Sequence, residues 1–177
     1  MAGLAAALYF ATAFVGVYLP ATAQQVARGH LHLLLTSGLD AAPPVPALQV
    51  AIAAAAAALL INRTDACMWW RVALVGHVGS ALIAYAVIYA FDGPTTTRDY
   101  GVSCVLGATL GALMTRRGDR LAQAVGIAGT IALLPLSFSW LGIEHPLAIA
   151  LGAAASGSLR RSRTADRPSA GRRRPRR

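Results

Sequence analysis

The chain has no lysine, a single glutamate and only two cysteines, and just 13% of its 177 residues are charged. An ordinary soluble domain carries about 25% charged residues, so too little charge is present to cover a solvated surface. Cys67 and Cys104 are too few and too isolated for a disulfide framework or a thiolate metal site, and no CxxC spacing occurs. Carboxylates and paired charges are scarce within the apolar stretches, which argues against a channel or ion-coupled transporter. Nothing in the composition implies a metal or an organic cofactor.

What the chain does have is apolar residues, 56% of the total, with a mean hydropathy of +0.54. That excludes a disordered chain and points to an all-α membrane protein. All sixteen basic residues are arginine, and nine of them follow residue 159 with only Asp166 in opposition. Of the net charge of +9, the tail therefore carries +8 and the body +1. Residues 160–177, rich in Arg, Ser, Pro and Gly, read as a disordered tail that touches anionic lipid, without specific affinity for nucleic acid.

A helix needs about 20 mostly apolar residues to cross a bilayer, with about 17 as the lower limit. Residues 3–19, 45–61, 72–91 and 121–141 meet that demand, and 100–115 and 143–159 are weaker candidates holding small and polar residues. The expectation is a six-helix transmembrane bundle over residues 1–159. The leucine-rich run at Leu31–Leu35 is too short to span and reads as an interfacial or re-entrant piece. Residues 1–23 also resemble a secretory signal, ending in Ala21-Thr22-Ala23, but lack a positive n-region. Removal of that stretch would leave the other helices in the same orientation.

Arginine-rich loops stay cytoplasmic. With six spans and the tail inside, the inner loops hold Arg63, Arg71, Arg116, Arg117 and Arg120, and the outer loops only Arg28 and Arg98. Both termini are then cytoplasmic, and the fourth and sixth spans start at the outer face. Ser103 and His145 fall at one depth just below it.

Polar residues inside a membrane are costly, so the few present are informative: Gln49, His77, Ser103, Thr109, Gln123 and His145, with Glu144 at the interface. Only Ser103 and His145 combine a nucleophile and a base at matching depth. A serine becomes a useful nucleophile when a base within about 2.6–3.2 Å takes its proton, and imidazole suits that role near neutral pH. Ser103, Gly107 and Gly111 form a small-residue face, as do His145, Ala148, Gly152 and Ser156, so the two helices can pack closely. Gly101 and Ser103 open a helix whose first N–H groups could hold an oxyanion. The plainer alternatives are that Ser103 is a packing residue bonded to its own backbone and that His145, before Pro146, is an interfacial histidine. His77 reads as a packing residue toward the inner end of the third span, too far from Ser103 to serve as its base. His30 and His32 read as interfacial, and Cys67 and Cys104 as buried apolar residues.

From about Leu33 to Leu159 the sequence resembles the rhomboid intramembrane serine proteases, in particular a divergent bacterial branch. Leu34-Leu35-Thr36-Ser37-Gly38-Leu39 is similar to the segment after the family's first helix, and Gly76-His77-Val78-Gly79-Ser80-Ala81-Leu82 to its third-helix signature. Asp99-Tyr100-Gly101-Val102-Ser103-Cys104 sits where the family has its GxSG nucleophile motif. His145 followed by Ala148 and Gly152 resembles the sixth-helix pattern. The resemblance implies a six-helix bundle in the bacterial cytoplasmic membrane, a Ser103–His145 dyad, and cleavage of transmembrane substrates near the outer surface. Cys104 stands in place of the last glycine of GxSG, and Ala148 in place of a glycine. The family's second-helix HxxxN motif, which helps bind the oxyanion, is absent from residues 45–61, where Gln49 is the residue able to donate in its stead. A non-catalytic rhomboid-like protein that binds membrane clients is the alternative, since it needs the fold and not the dyad.

Overall fold

Six apolar stretches become helices because their side chains are good helix formers and breakers flank them. In the computed structural model, which describes residues 1–16, 19–137 and 139–165, the architecture is all-helical. Helix α1 (Ala2–Val15) ends at Gly16, whose φ of 83° is the left-handed conformation that glycine adopts without penalty. Two short helices, α2 (Ala23–Ala27) and α3 (Leu33–Thr36), and a 3-10 turn at Ser37–Leu39 fill the connection to α4 (Pro46–Arg63). Helix α5 (Ala66–Ala90) is capped by Asp65, whose carboxylate accepts from the Met68 N–H at 2.7 Å. Helix α6 (Val102–Met114) leads to α7 (Arg120–Leu133), capped by Asp119 through the Ala122 N–H at 3.0 Å. A 3-10 turn at Leu134–Ser137 precedes α8 (Glu144–Ala165).

Helix α6 is the axis of the bundle. From Val102 to Leu113 every residue but Ser103 is buried, against α4, α5, α7 and α8. The closest packing is between α6 and α8, where the two expected small faces meet. A Cβ on Gly111 would lie 2.0 Å from the Ile149 carbonyl oxygen, and one on Gly152 would lie 2.1 Å from that of Ala108. At the inner end Ser156 Oγ and Thr115 Oγ1 are hydrogen-bonded at 2.7 Å.

The helices follow the six expected stretches, but their lengths differ from the expectation. Only α4 and α5, with 18 and 25 residues, are both long and apolar enough to cross a membrane among the described residues. Helices α1, α6 and α7 are apolar but have 14, 13 and 14 residues. At about 1.5 Å per residue, α6 is about 20 Å long, short of a hydrocarbon core of about 30 Å. Helix α8 runs to Ala165, so residues 160–165, expected to belong to the tail, continue the helix. The remainder of the expected tail lies outside the described residues. The leucine run lies in the connection between α1 and α4, with Leu33 and Leu34 buried while Leu31 and Leu35 face outward.

Candidate active site

The α1–α4 connection folds across the start of α6. Asp99 N–H donates to the Ala21 carbonyl at 2.8 Å, and Gln24 N–H donates to that of Thr95 at 3.0 Å. Gly101 N–H donates to the Ser37 carbonyl at 2.9 Å and Val102 N–H to that of Asp40 at 3.1 Å. Farther along, Gln49 clamps the connection: its Nε2 donates to the Ala42 carbonyl at 2.9 Å and its Oε1 accepts from the Ala42 N–H at 3.2 Å. Tyr9 of α1 hydrogen-bonds the Gly38 carbonyl.

Beside this cap, Ser103 is the second residue of α6 and His145 the second of α8, both half-buried. Their side chains meet, with Ser103 Oγ 3.0 Å from His145 Nε2. The same hydroxyl lies 3.2 Å from the Tyr100 carbonyl oxygen. Both readings of this serine are therefore present in one geometry. Its proton has two acceptors, the backbone carbonyl and an imidazole nitrogen whose tautomer leaves Nε2 unprotonated. Gly107 lies below the pair, where a Cβ would be 3.5 Å from the His145 carbonyl oxygen. The small face of α6 thus lets α8 approach closely enough for the contact.

The pair lines a cavity of about 140 Å³ together with Ala42, Arg98, Asp99, Tyr100 and Glu144. Exposed Arg98 and Ser139 stand at its edge. The cavity wall thus presents a serine hydroxyl beside an imidazole nitrogen.

Two of the expected oxyanion donors, Gly101 and Gln49, are engaged elsewhere. The Gly101 N–H is engaged by Ser37, and the Gln49 amide is engaged by Ala42 and does not line the cavity. Gln49 reaches the site only through the loop that it holds, and Gly101 has a packing duty. A Cβ there would be 2.1 Å from His77 Cε1. His77 consequently lies beside the start of α6 and not toward the inner end, as its place in the sequence had suggested. It is buried, with Nε2 3.3 Å from Ser37 Oγ, and its ring supports the turn that leads into Ser103. His30 and His32 are exposed, with ring centroids 6.1 Å apart. Cys104 is buried as expected, whereas Cys67 is exposed.

Sequence reasoning passed over Asp99 and Arg98 as site residues. Asp99 is buried and accepts from Tyr85 Oη at 2.8 Å. The available signal was a lone acid at the junction of a polar loop and an apolar run, where burial needs a partner. The chain matches no protein-family model, no curated protein and no solved structure.

Proposed function

We propose that the chain is a rhomboid-like intramembrane serine protease, a multi-pass protein of the bacterial cytoplasmic membrane that cleaves transmembrane substrates near the outer face. The observation that carries this reading is the 3.0 Å contact of Ser103 Oγ with His145 Nε2 at the wall of a cavity. Membrane residence is supported by the two long apolar helices and by apolar side chains that face outward on four helices, such as Leu8, Phe14, Ile52, Leu82 and Ile131. In the proposed six-span arrangement α1, α4, α5, α6, α7 and α8 cross the bilayer. Ser103 lines the cavity, which is the proposed route for the water that hydrolysis requires.

His145 Nε2 takes the Ser103 proton as Oγ attacks the substrate carbonyl carbon, forming a tetrahedral intermediate. The C–N bond then breaks as the imidazolium returns that proton to the leaving amine. Water, deprotonated by the same nitrogen, splits the acyl-enzyme and regenerates Ser103. The Arg98 guanidinium, at the edge of the cavity, is the group proposed to attract the developing oxyanion.

One observation favours the second reading, a non-catalytic protein that binds membrane clients. The Gly101 N–H and the Gln49 amide, two of the three expected oxyanion donors, are engaged elsewhere, and a missing oxyanion donor costs about 2.7–4 kcal/mol in hydrolases. The two readings separate in proteoliposomes holding a reporter with one transmembrane segment and a glycine-rich outer end. A protease cuts the reporter near that end, and Ser103→Ala and His145→Ala each abolish the cut. Capture of intact reporter by wild type and Ser103→Ala alike would replace the protease by the client-binding protein.

A further inference from the structure

Next to each half of the Ser103–His145 pair stands a buried residue that this chemistry does not use: Cys104 beside Ser103 and Glu144 beside His145. With Asp99 they form a cluster at the wall of the same cavity. All three are nearly inaccessible, Cys104 and Glu144 being 1% exposed and Asp99 3%. One ligand atom from each, a sulfur and two carboxylate oxygens, lies within 4.8 Å of the other two.

The cluster has an unmet need. Glu144 Oε2 lies 3.4 Å from Cys104 Sγ, but its other oxygen, Oε1, is fully buried and has no hydrogen-bond partner among the described residues. A carboxylate oxygen of Asp99 lies within 4.8 Å of the Glu144 carboxyl. Two carboxyl groups brought together away from water require a proton or a cation between them.

We propose that Asp99, Cys104 and Glu144 bind one divalent transition-metal ion of the zinc class. The donor chemistry selects the class, because a thiolate beside two carboxylates suits a borderline-soft ion and disfavours magnesium and calcium. Tetrahedral zinc has Zn–S near 2.3 Å and Zn–O near 2.0–2.2 Å, which places sulfur and oxygen ligands about 3.5 Å apart. The Cys104–Glu144 separation of 3.4 Å matches that edge. Three protein ligands leave the fourth position to water from the cavity, the pattern of an open zinc site. Tyr85 Oη, donating to Asp99 Oδ2 at 2.8 Å, orients that ligand from outside the coordination sphere. On binding, the S–H bond of Cys104 breaks and sulfur bonds the metal, and both that proton and the one held between Asp99 and Glu144 leave to solvent. Asp99 and Cys104 stand close together at the start of α6, and Glu144 joins them because α8 packs on α6. The site is independent of the protease reading and stands or falls by metal binding alone.

The test is titration of the purified, metal-stripped full chain with Co²⁺ in detergent, watching the near-ultraviolet thiolate-to-cobalt charge-transfer band. Wild type is expected to bind one Co²⁺ per chain, with Zn²⁺ displacing it and abolishing the band. Cys104→Ser should lose the band, and Glu144→Gln should weaken binding at least tenfold. Tyr85→Phe keeps the ring and should weaken binding roughly tenfold. Cys67→Ser, which changes the exposed cysteine, should leave the titration unchanged. A folded wild type without the band would overturn the site and leave a shared proton between Asp99 and Glu144 in its place. A band that survives in Cys104→Ser and disappears in Cys67→Ser would overturn it equally, and the wild-type titration decides even if a variant fails to fold.

Discussion

The hydroxyl of Ser103 sits between two acceptors, the Tyr100 carbonyl at 3.2 Å and His145 Nε2 at 3.0 Å. The competition between them decides how much of the serine is poised for attack. That Ser103 and His145 meet was legible in the sequence, because polar residues are rare in its apolar stretches and these two start helices with small faces. The engagement of Gly101 and Gln49 was not legible, because it depends on where the Ser37 and Ala42 backbone comes to lie. Gln49→Ala should free the Ala42 loop and make residues 40–46 cleave faster in limited proteolysis, while leaving the helical content unchanged. Asp119 supplies a pH signature. The Ala122 N–H, and then Arg63 at 2.6 Å, hold its carboxyl below the usual carboxylate range. A carboxylate depressed on folding contributes stability that is present above its unfolded pKa and lost as the pH falls through the folded value. The melting temperature in detergent should therefore fall on acidification below about pH 4, and Asp119→Ala should lower it at neutral pH and blunt that acid response. Asp40 acts with the opposite sign, since burial raises its carboxyl and the stability it gives at low pH is lost as the pH rises. Comparing Asp119→Ala with wild type isolates the first effect.

At the level of helices, the α6–α8 contact carries the site. Its closeness depends on glycine at the points where backbones nearly touch, with Gly111 against Ile149 and Gly152 against Ala108. The repeated small residues made these two faces readable in advance. The place of His77 was misjudged because depth along α5 was inferred from an assumed span, whereas the α1–α4 connection and the turn before α6 both fold onto its ring. Gly152→Val should force the helices apart, cost about 1–3 kcal/mol of stability in an unfolding titration and abolish any activity of Ser103. Gly157→Ala has open space around its new methyl group and should be neutral or slightly stabilising.

For the molecule as a whole, the helical order was legible from apolar run lengths and breakers, and helix length was not. Caps such as Asp65 and Asp119 and the 3-10 turn at Leu134–Ser137 set the ends of helices more tightly than hydropathy does. The outward-facing apolar residues on α1, α4, α5 and α7 give the whole molecule a surface suited to lipid. It should remain in the membrane pellet after alkaline carbonate extraction. Under the proposed six-span topology, reporter fusions to its two ends should both register as cytoplasmic, and a reporter at either end that registers outside would overturn that proposal. The most direct test of the central claim, that His145 activates Ser103, is labelling of the purified, folded protein with a fluorophosphonate probe. The account predicts a covalent adduct on Ser103 that disappears in both Ser103→Ala and His145→Ala. Labelling of His145→Ala at the wild-type rate, or none of wild type under conditions that label a known intramembrane serine protease, would contradict it.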